Sequence, residues 1–414
     1  MPVVKDRSQG IEQKLEWITD VALFVFVICS VISISALQTA YILALVAWIV
    51  KVYLQGSSAQ LRFPLLVPLG GFALASALAT ITAVEPYKSL VEFRNVFEAA
   101  LFYLVVNHVT TEEHATTFVR VLIVTSTLMA LYGLSQSVTH GVSFRVHGTM
   151  SIYITFADLL MLADIMTIAQ LLFPPTAIAQ VLCHPYSRHV SWYGLALLTI
   201  TAALLMTYTR GAWVGVAVGF AIVLGLRKKA FLLALPLIIL VVFLIAPQAV
   251  KDRLQSTLER QETTAQDRLS MWSSGLHMIR DHPWTGVGMG AMAQVYQQYR
   301  DPQSPIAPGR RLGHLHNNVI HIAAERGLLG LAFWLWIWVA YFYHAWLIYR
   351  DLGPAQASAK ALVIGSLASV VAFHVEGLFE HTFGNSMVIT LTYFLMALPF
   401  VVQRAHCNDP ALVS

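Results

Sequence analysis

The sequence predicts an all-α polytopic membrane protein of about twelve spanning helices with one large segment outside the bilayer. Three observations carry this. The 414 residues are 57% hydrophobic and 12% charged, with mean hydropathy +0.65; a soluble domain is about 45–50% apolar and about 25% charged. Apolar runs of spanning length recur along the chain, and its basic residues alternate between the connections.

Runs meeting the ~20-residue requirement of a spanning helix fall at 16–35, 37–54, 64–84, 90–107, 117–138 and 152–173. The second half adds 191–209, 211–226, 230–247, 327–346, 358–379 and 384–403. The opening MPVVKDRSQGIEQKLEW lacks the short apolar core and small-residue cleavage site of a removable leader, so the first run is expected to stay in the membrane. Three domains follow: 1–247 with helices one to nine, 248–326 outside the bilayer, and 327–414 with helices ten to twelve and a short tail. The net charge of +4 is too small to imply nucleic-acid binding. Cys29, Cys183 and Cys407 form no CxxC and are odd in number, which supports neither a disulfide framework nor a thiolate metal site.

Orientation follows from Lys and Arg in short connections, which favour the cytoplasmic side. With the N-terminus inside, the inner connections hold Lys5, Arg7, Lys14, Lys51, Arg62, Arg120, Arg188, Arg227, Lys228, Lys229, Arg350, Lys360 and Arg404. The short outer ones hold only Lys88, Arg94, Arg145 and Arg210. Both termini are therefore expected in the cytoplasm of a bacterial inner-membrane protein, and segment 248–326 in the periplasm.

The outer-side arginines run against this rule and call for another reason. Arg145 lies in GVSFRVHGTM and Arg210 in TYTRGAWVG, each flanked by apolar helix. A charge there is costly unless paired or facing water, and is a functional candidate by default. Snorkelling, or an ion pair with Asp158, Asp164 or Glu376, is the structural alternative.

In the long segment, 248–266 reads as a polar helical stretch. From Asp267, DRLSMWSSGLHMIRDHPWTGVGMG reads as a capped amphipathic helix with Leu269, Trp272, Leu276 and Ile279 on one side, Arg268 at its start and Pro283 as its stop. Glycines 286, 288 and 290 lack the strand and spacing of a nucleotide loop and read as a turn at the membrane interface. LGHLHNNVIHIAAERGLLG follows. His314 and His316 share a face on an extended chain and oppose each other on a helix. HxH plus His321 is a conceivable ligand set, but no DxD or HExxH accompanies it, and no metal is expected. A base or hydrogen-bonding role suits a histidine better. Near the end, FHVEGLFEHTFGNS puts His374, Glu376, Glu380 and His381 at the outer end of the eleventh run, placed to pair with the arginines or line the same cavity.

The ordered series TRGAWVG, RLSMWSSGLHMIRDHPWTGVGMG, HLHNNVIHIAAERGLLG resembles the O-antigen ligase and polymerase superfamily. Relatives more often carry Ser where Thr209 stands. The resemblance implies a metal- and cofactor-independent, inverting glycosyltransferase of the helical GT-C type. Its donor would be O-antigen on undecaprenyl diphosphate, and its acceptor a sugar hydroxyl of lipid A-core. It implies His316 as the base that activates the acceptor, with His314 and Asn317 orienting it or the sugar. Arg268, at a helix N-terminus, and Arg210 would hold the diphosphate, with Arg145 a third contact and Glu376 in support. Such arginines suit a diphosphate because guanidinium binds phosphate oxygens bidentately and keeps its charge.

Rival readings are an O-antigen polymerase, whose acceptor is a second lipid-linked glycan, and a protein O-oligosaccharyltransferase. The latter usually carries a further C-terminal soluble domain, which the few residues after the twelfth run do not supply. A transporter of the same lipid-linked sugar would show paired repeats with helices broken near the midplane, whereas here the polar residues gather at one face.

The orientation is tested by replacing Ser304 with cysteine in a cysteine-free background. A membrane-impermeant maleimide is expected to label it from the periplasmic side, and labelling only after lysis would invert the topology.

Overall fold

A computed structural model describes residues 2–56, 60–174, 184–233, 248, 261–300 and 313–407. Among them every regular element is helical. Eight helices are long and apolar enough to cross a membrane. They are α2 (Ile34–Gln55), α6 (Glu112–His140), α7 (Tyr153–Leu172), α8 (His184–Met206), α9 (Arg210–Arg227), α12 (Asn318–Asp351), α13 (Ala357–Glu376) and α14 (Ser386–Cys407). Helix α1 (Pro2–Cys29) carries too many charges at its start to count with them, and α3 (Leu66–Ile81) is shorter, with 16 residues. The run expected at 90–107 is not one helix: α4 (Pro86–Glu92) leads through a 3₁₀ stretch, Phe93–Ala99, into α5 (Ala100–His108). Most of the run at 230–247 lies outside the described residues, as does most of the polar stretch 248–266.

Burial sorts the spans into two layers. In α7 and α14, 89% of the spanning window is buried inside the protein, and in α13 72%, against 28% in α2 and α8 and 33% in α9 and α12. A helix apolar on all sides is covered on all sides, here by its neighbours in the inner three and in part by lipid in the outer four. The inner helices pack on one another and α9 lies along α13.

Contacts between connections gather at two ends of the bundle. At one end Arg404 donates to the carbonyls of Val106 and Asn107, Asn107 bonds the backbone of Arg62, and His108 and His114 both reach Asp20. At the other, Thr149 donates to the Ile32 carbonyl, Val84 N–H to Val287, and Val146 N–H to Met206.

The segment after the ninth run is fastened to the bundle by a backbone exchange. Helix α12 breaks at Gly327 (φ 67°, ψ −175°). An unbroken helix would bond Leu328 N–H to Ala324 and Leu329 N–H to Glu325. Instead those two amides donate to the carbonyls of Pro283 (2.7 Å) and Trp284 (3.4 Å), while the freed carbonyls of Ala324 and Glu325 accept from Val287 (2.9 Å) and Gly288 (3.0 Å). These four groups are satisfied, as an apolar setting demands. The turn that supplies these partners uses positive φ at Gly286, Gly288 and Gly290, so the glycine cluster is a docking turn.

Helix α10 (Gln261–Asp281) precedes this turn and corrects two expectations. It already runs through Asp267, so Asp267 is no cap and Arg268 stands at least two turns inside the helix, away from its N-terminus. Its buried face is Met271, Ser274 and Met278, in a small second core with Val287, Tyr296 and Leu315, while Leu269 and Leu276 are exposed. The leucines point out because the docked turn and the histidine loop cover the methionine side. The helix stops at Asp281, two residues before Pro283.

Gly327→Ala would place a methyl 2.2 Å from the Trp284 carbonyl group at a left-handed φ. It is expected to destabilise the protein by about 2–4 kcal/mol, read as a lower unfolding temperature in detergent. An unchanged temperature would mean that the break does not constrain the fold.

Candidate functional site

The ends of α7, α9 and α13, the middle of α10 and the loop before α12 enclose a cavity of about 590 Å³. Five expected residues, Arg145, Arg210, Arg268, His316 and Glu376, line it, far apart in sequence and brought together only by the fold. His314 and Asn317 are not among its lining residues.

Arg210 is the first residue of α9. The chain reaches it through Tyr208 at φ 55°, and no side chain caps the helix. The uncapped amides and the positive end of the dipole therefore face the cavity beside the guanidinium, a combination that favours an anion. The helix-terminus argument attached to Arg268 thus applies to Arg210. Arg145 donates through Nε to the Thr207 carbonyl (3.1 Å) and through Nη2 to that of Tyr208 (2.8 Å), with its guanidinium 3.5 Å from the centre of the Tyr153 ring. It clamps the turn that presents Arg210 while lining the same cavity. Glu376, at the end of α13, is buried, and its Oε2 has no hydrogen-bond partner among the described residues. A methyl on Gly211 would lie 1.9 Å from that oxygen. Only a glycine allows the carboxylate so close to the start of α9.

The histidine loop is held from both sides. Leu315 is buried in the second core and its carbonyl accepts from Trp272 Nε1 at 3.0 Å. Asn317 caps α12, accepting from Ile320 N–H (3.0 Å) and donating to the Leu378 carbonyl (3.1 Å). That occupies its side chain with backbone on both sides of the loop that carries His316. Asn318 completes the clamp, with its N–H on the Gly377 carbonyl at 2.7 Å and its side chain bonded to Thr382 and Phe383.

With Leu315 turned inward, His314 and His316 lie together on the opposite side, their ring centres 4.3 Å apart, with His316 in a left-handed backbone conformation (φ 49°) and not an extended one. Both converge on Glu380, a residue that the sequence marked only as one of a cluster. His316 Nδ1 lies 2.5 Å from Glu380 Oε1, and His314 Nε2 lies 3.4 Å from the same oxygen. Burial alone would raise the Glu380 carboxyl, but hydrogen bonds from the two histidines, and their charge, outweigh it and hold it at about 2. An ionised Glu380 makes Nδ1 the donor and leaves Nε2 as the acceptor atom of the His316 ring.

The other polar residues near Glu376 lie elsewhere. His374 is buried against Trp334 and Trp338. His381 stacks on His321, ring centres 3.7 Å apart; burial and then its neighbours His321, His314 and Arg326 hold it well below the ordinary histidine value. His321 pairs with Glu325 at 3.3 Å instead of joining the HxH pair. The third group beside His314 and His316 is Glu380, and ligand atoms of the three lie within 4.8 Å of one another.

Comparison with known proteins bears on this arrangement. Residues 195–335 match the model of the O-antigen ligase family. The stretch includes Arg210, Arg268, the docking turn, the histidine loop and the break at Gly327. An uncharacterized protein of Haemophilus influenzae is 25% identical over 230 residues, which cover 50% of this chain and 55% of that protein. The match thus spans about half the length of that curated relative.

Glu380 also imposes a pH dependence on stability. Its folded value lies below the ordinary 4.5, so its contribution is complete above that value and is lost as pH falls toward 2. Glu380→Gln is expected to flatten the fall in unfolding temperature across that interval. A slope equal to wild type would mean that the carboxylate is not held by the histidines.

Proposed function

Because the chain carries the domain of the O-antigen ligase family over residues 195–335, we propose that it transfers O-antigen from undecaprenyl diphosphate to a sugar hydroxyl of lipid A-core, with inversion, at the periplasmic face of the inner membrane. The family and the apolar helices support the coarser statement directly: this is a multi-pass membrane protein of the O-antigen ligase and polymerase type, an enzyme of lipopolysaccharide-related glycan assembly. The observation that carries the finer reading is one cavity holding three arginines and a carboxylate-anchored histidine.

In this reading the diphosphate lies against Arg210, Arg268 and the open amides of α9, with Arg145 as a third positive group. Apolar side chains of Val214, Leu269, Trp272 and Phe379 line the same cavity and suit the polyprenyl chain that enters from the bilayer. His316 Nε2 takes the proton of the acceptor hydroxyl, and Glu380 steadies the imidazolium that results. The acceptor oxygen bonds to the anomeric carbon on the face opposite the diphosphate. The bond from that carbon to phosphate oxygen breaks, and the electron pair leaves on undecaprenyl diphosphate. Fixed arginines stabilise the growing charge without reorganising at the moment of reaction. His314 buttresses the dyad through Glu380.

The test is a reconstitution of the purified protein with undecaprenyl-diphosphate-linked glycan and lipid A-core in a chelating buffer, read on a gel. A ladder shifted onto the core is expected, reduced about 10³-fold by His316→Ala and by a similar factor in Arg268→Ala and Arg210→Ala. Lipid-linked chains that lengthen over a bare core would make the enzyme a polymerase. Intact substrates with no product would leave transport as the reading.

A further inference from the structure

We propose that His314, His316 and Glu380 form a site for one divalent transition-metal ion, zinc being the type, and that occupation of this site switches the His316 base off. The binding half stands on geometry alone; the inhibitory half rests on the transfer reaction proposed above.

Zinc takes imidazole nitrogen and carboxylate oxygen at about 2.0–2.2 Å in a tetrahedron, which puts neighbouring donor atoms about 3.3 Å apart. His314 Nε2 and Glu380 Oε1 already stand 3.4 Å apart, and the 2.5 Å contact between His316 Nδ1 and Oε1 has to open by less than an ångström. The three donors are mounted on a braced frame. Leu315 between the histidines is anchored in the second core and by Trp272, Asn317 caps the following helix, and the Glu380 amide bonds the Glu376 carbonyl at 3.0 Å. The His314 side chain is 44% exposed, which gives the ion a path in. Three protein ligands leave a fourth position for water. Imidazole donors favour zinc and its transition-metal neighbours over magnesium and calcium, which prefer all-oxygen shells.

The consequence follows from counting protons on one ring. Neutral His316 carries a single proton, which sits on Nδ1 while that atom donates to Glu380. For Nδ1 to coordinate a metal, the proton moves to Nε2, with no net gain or loss. Nε2 then donates and has no lone pair with which to take the acceptor hydroxyl's proton. The same ring is a base in one tautomer and inert in the other.

The experiment titrates zinc chloride into the purified, chelator-stripped full-length protein by calorimetry. Expected is one equivalent bound, with affinity about 100-fold weaker in His314→Ala and in Glu380→Gln and unchanged in His277→Ala, a histidine on the exposed side of α10. Thermal unfolding of each variant confirms that it is folded, and zinc is expected to raise the unfolding temperature of wild type only where the cluster is intact. In the transfer assay zinc is expected to stop product formation, EDTA to restore it and magnesium to do neither. No isotherm in wild type up to about 100 μM zinc, or one untouched by His314→Ala, would overturn the site. Full transfer with the site saturated would overturn the inhibition. The calorimetry needs no glycan, so a protein that transferred nothing would still report whether the metal site exists.

Discussion

The exchange of backbone hydrogen bonds between the turn 283–288 and the broken helix at Gly327 is the constraint on which the rest of the site depends. A helix opened inside an apolar bundle exposes amides and carbonyls, and each such group left unpaired costs several kcal/mol. The turn satisfies two of the amides and two of the carbonyls at once. That fastens α10 alongside α12 and sets the distance from Arg268 to His316, because α10 carries the arginine and Trp272 while the loop before α12 carries the histidines. The turn and the break are forty residues apart in the chain, yet neither is tenable without the other.

Upon this frame the site concentrates charge at helix ends. Arg210 opens α9, Glu376 closes α13, His316 precedes α12, and Glu380 lies in the turn that follows α13. Helix ends are the places in a spanning bundle where backbone groups remain open and water or headgroups reach in, so charged side chains cost least there. The crowding is tight: Gly211 admits the Glu376 carboxylate, and the Tyr208 turn that delivers Arg210 is itself gripped by Arg145. Two of the three arginines thus bear on one short connection. A cavity lined by both apolar side chains and arginines suits a substrate with an apolar tail and a diphosphate.

Much of this was legible in the sequence because its signals are local. Hydropathy located most spans, since hydrocarbon imposes a length on every crossing. Arg145 and Arg210 stood out because they violate the orientation rule, and the i, i+2 spacing of His314 and His316 marked them as a candidate pair. What was read amiss failed for identifiable reasons. The 3₁₀ stretch at Phe93–Ala99 is apolar enough to pass for helix. Asp267 has the chemistry of a cap, but the helix begins upstream of it. Asn317, expected to orient the base or the sugar, also caps the helix, since an Asn at a helix start finds backbone amides first. Leu269, Trp272, Leu276 and Ile279 share one side by periodicity, yet Trp272 and Ile279 pack on the second core while Leu269 and Leu276 are exposed, since periodicity alone does not say how far the cover reaches.

The sequence by itself determined that the chain lives in a bilayer, how most of its helices run and which arginines and histidines are unusual, because those properties follow from transfer energies and spacing along one chain. Only the tertiary structure decided that Glu380, sixty-four residues from His316, stands against its Nδ1, that the open helix end belongs to Arg210 and not to Arg268, and that a glycine-rich turn exists to satisfy a broken helix. Each of these is a meeting of segments distant in the chain, and no local pattern of residues records which distant backbone or carboxylate it will meet.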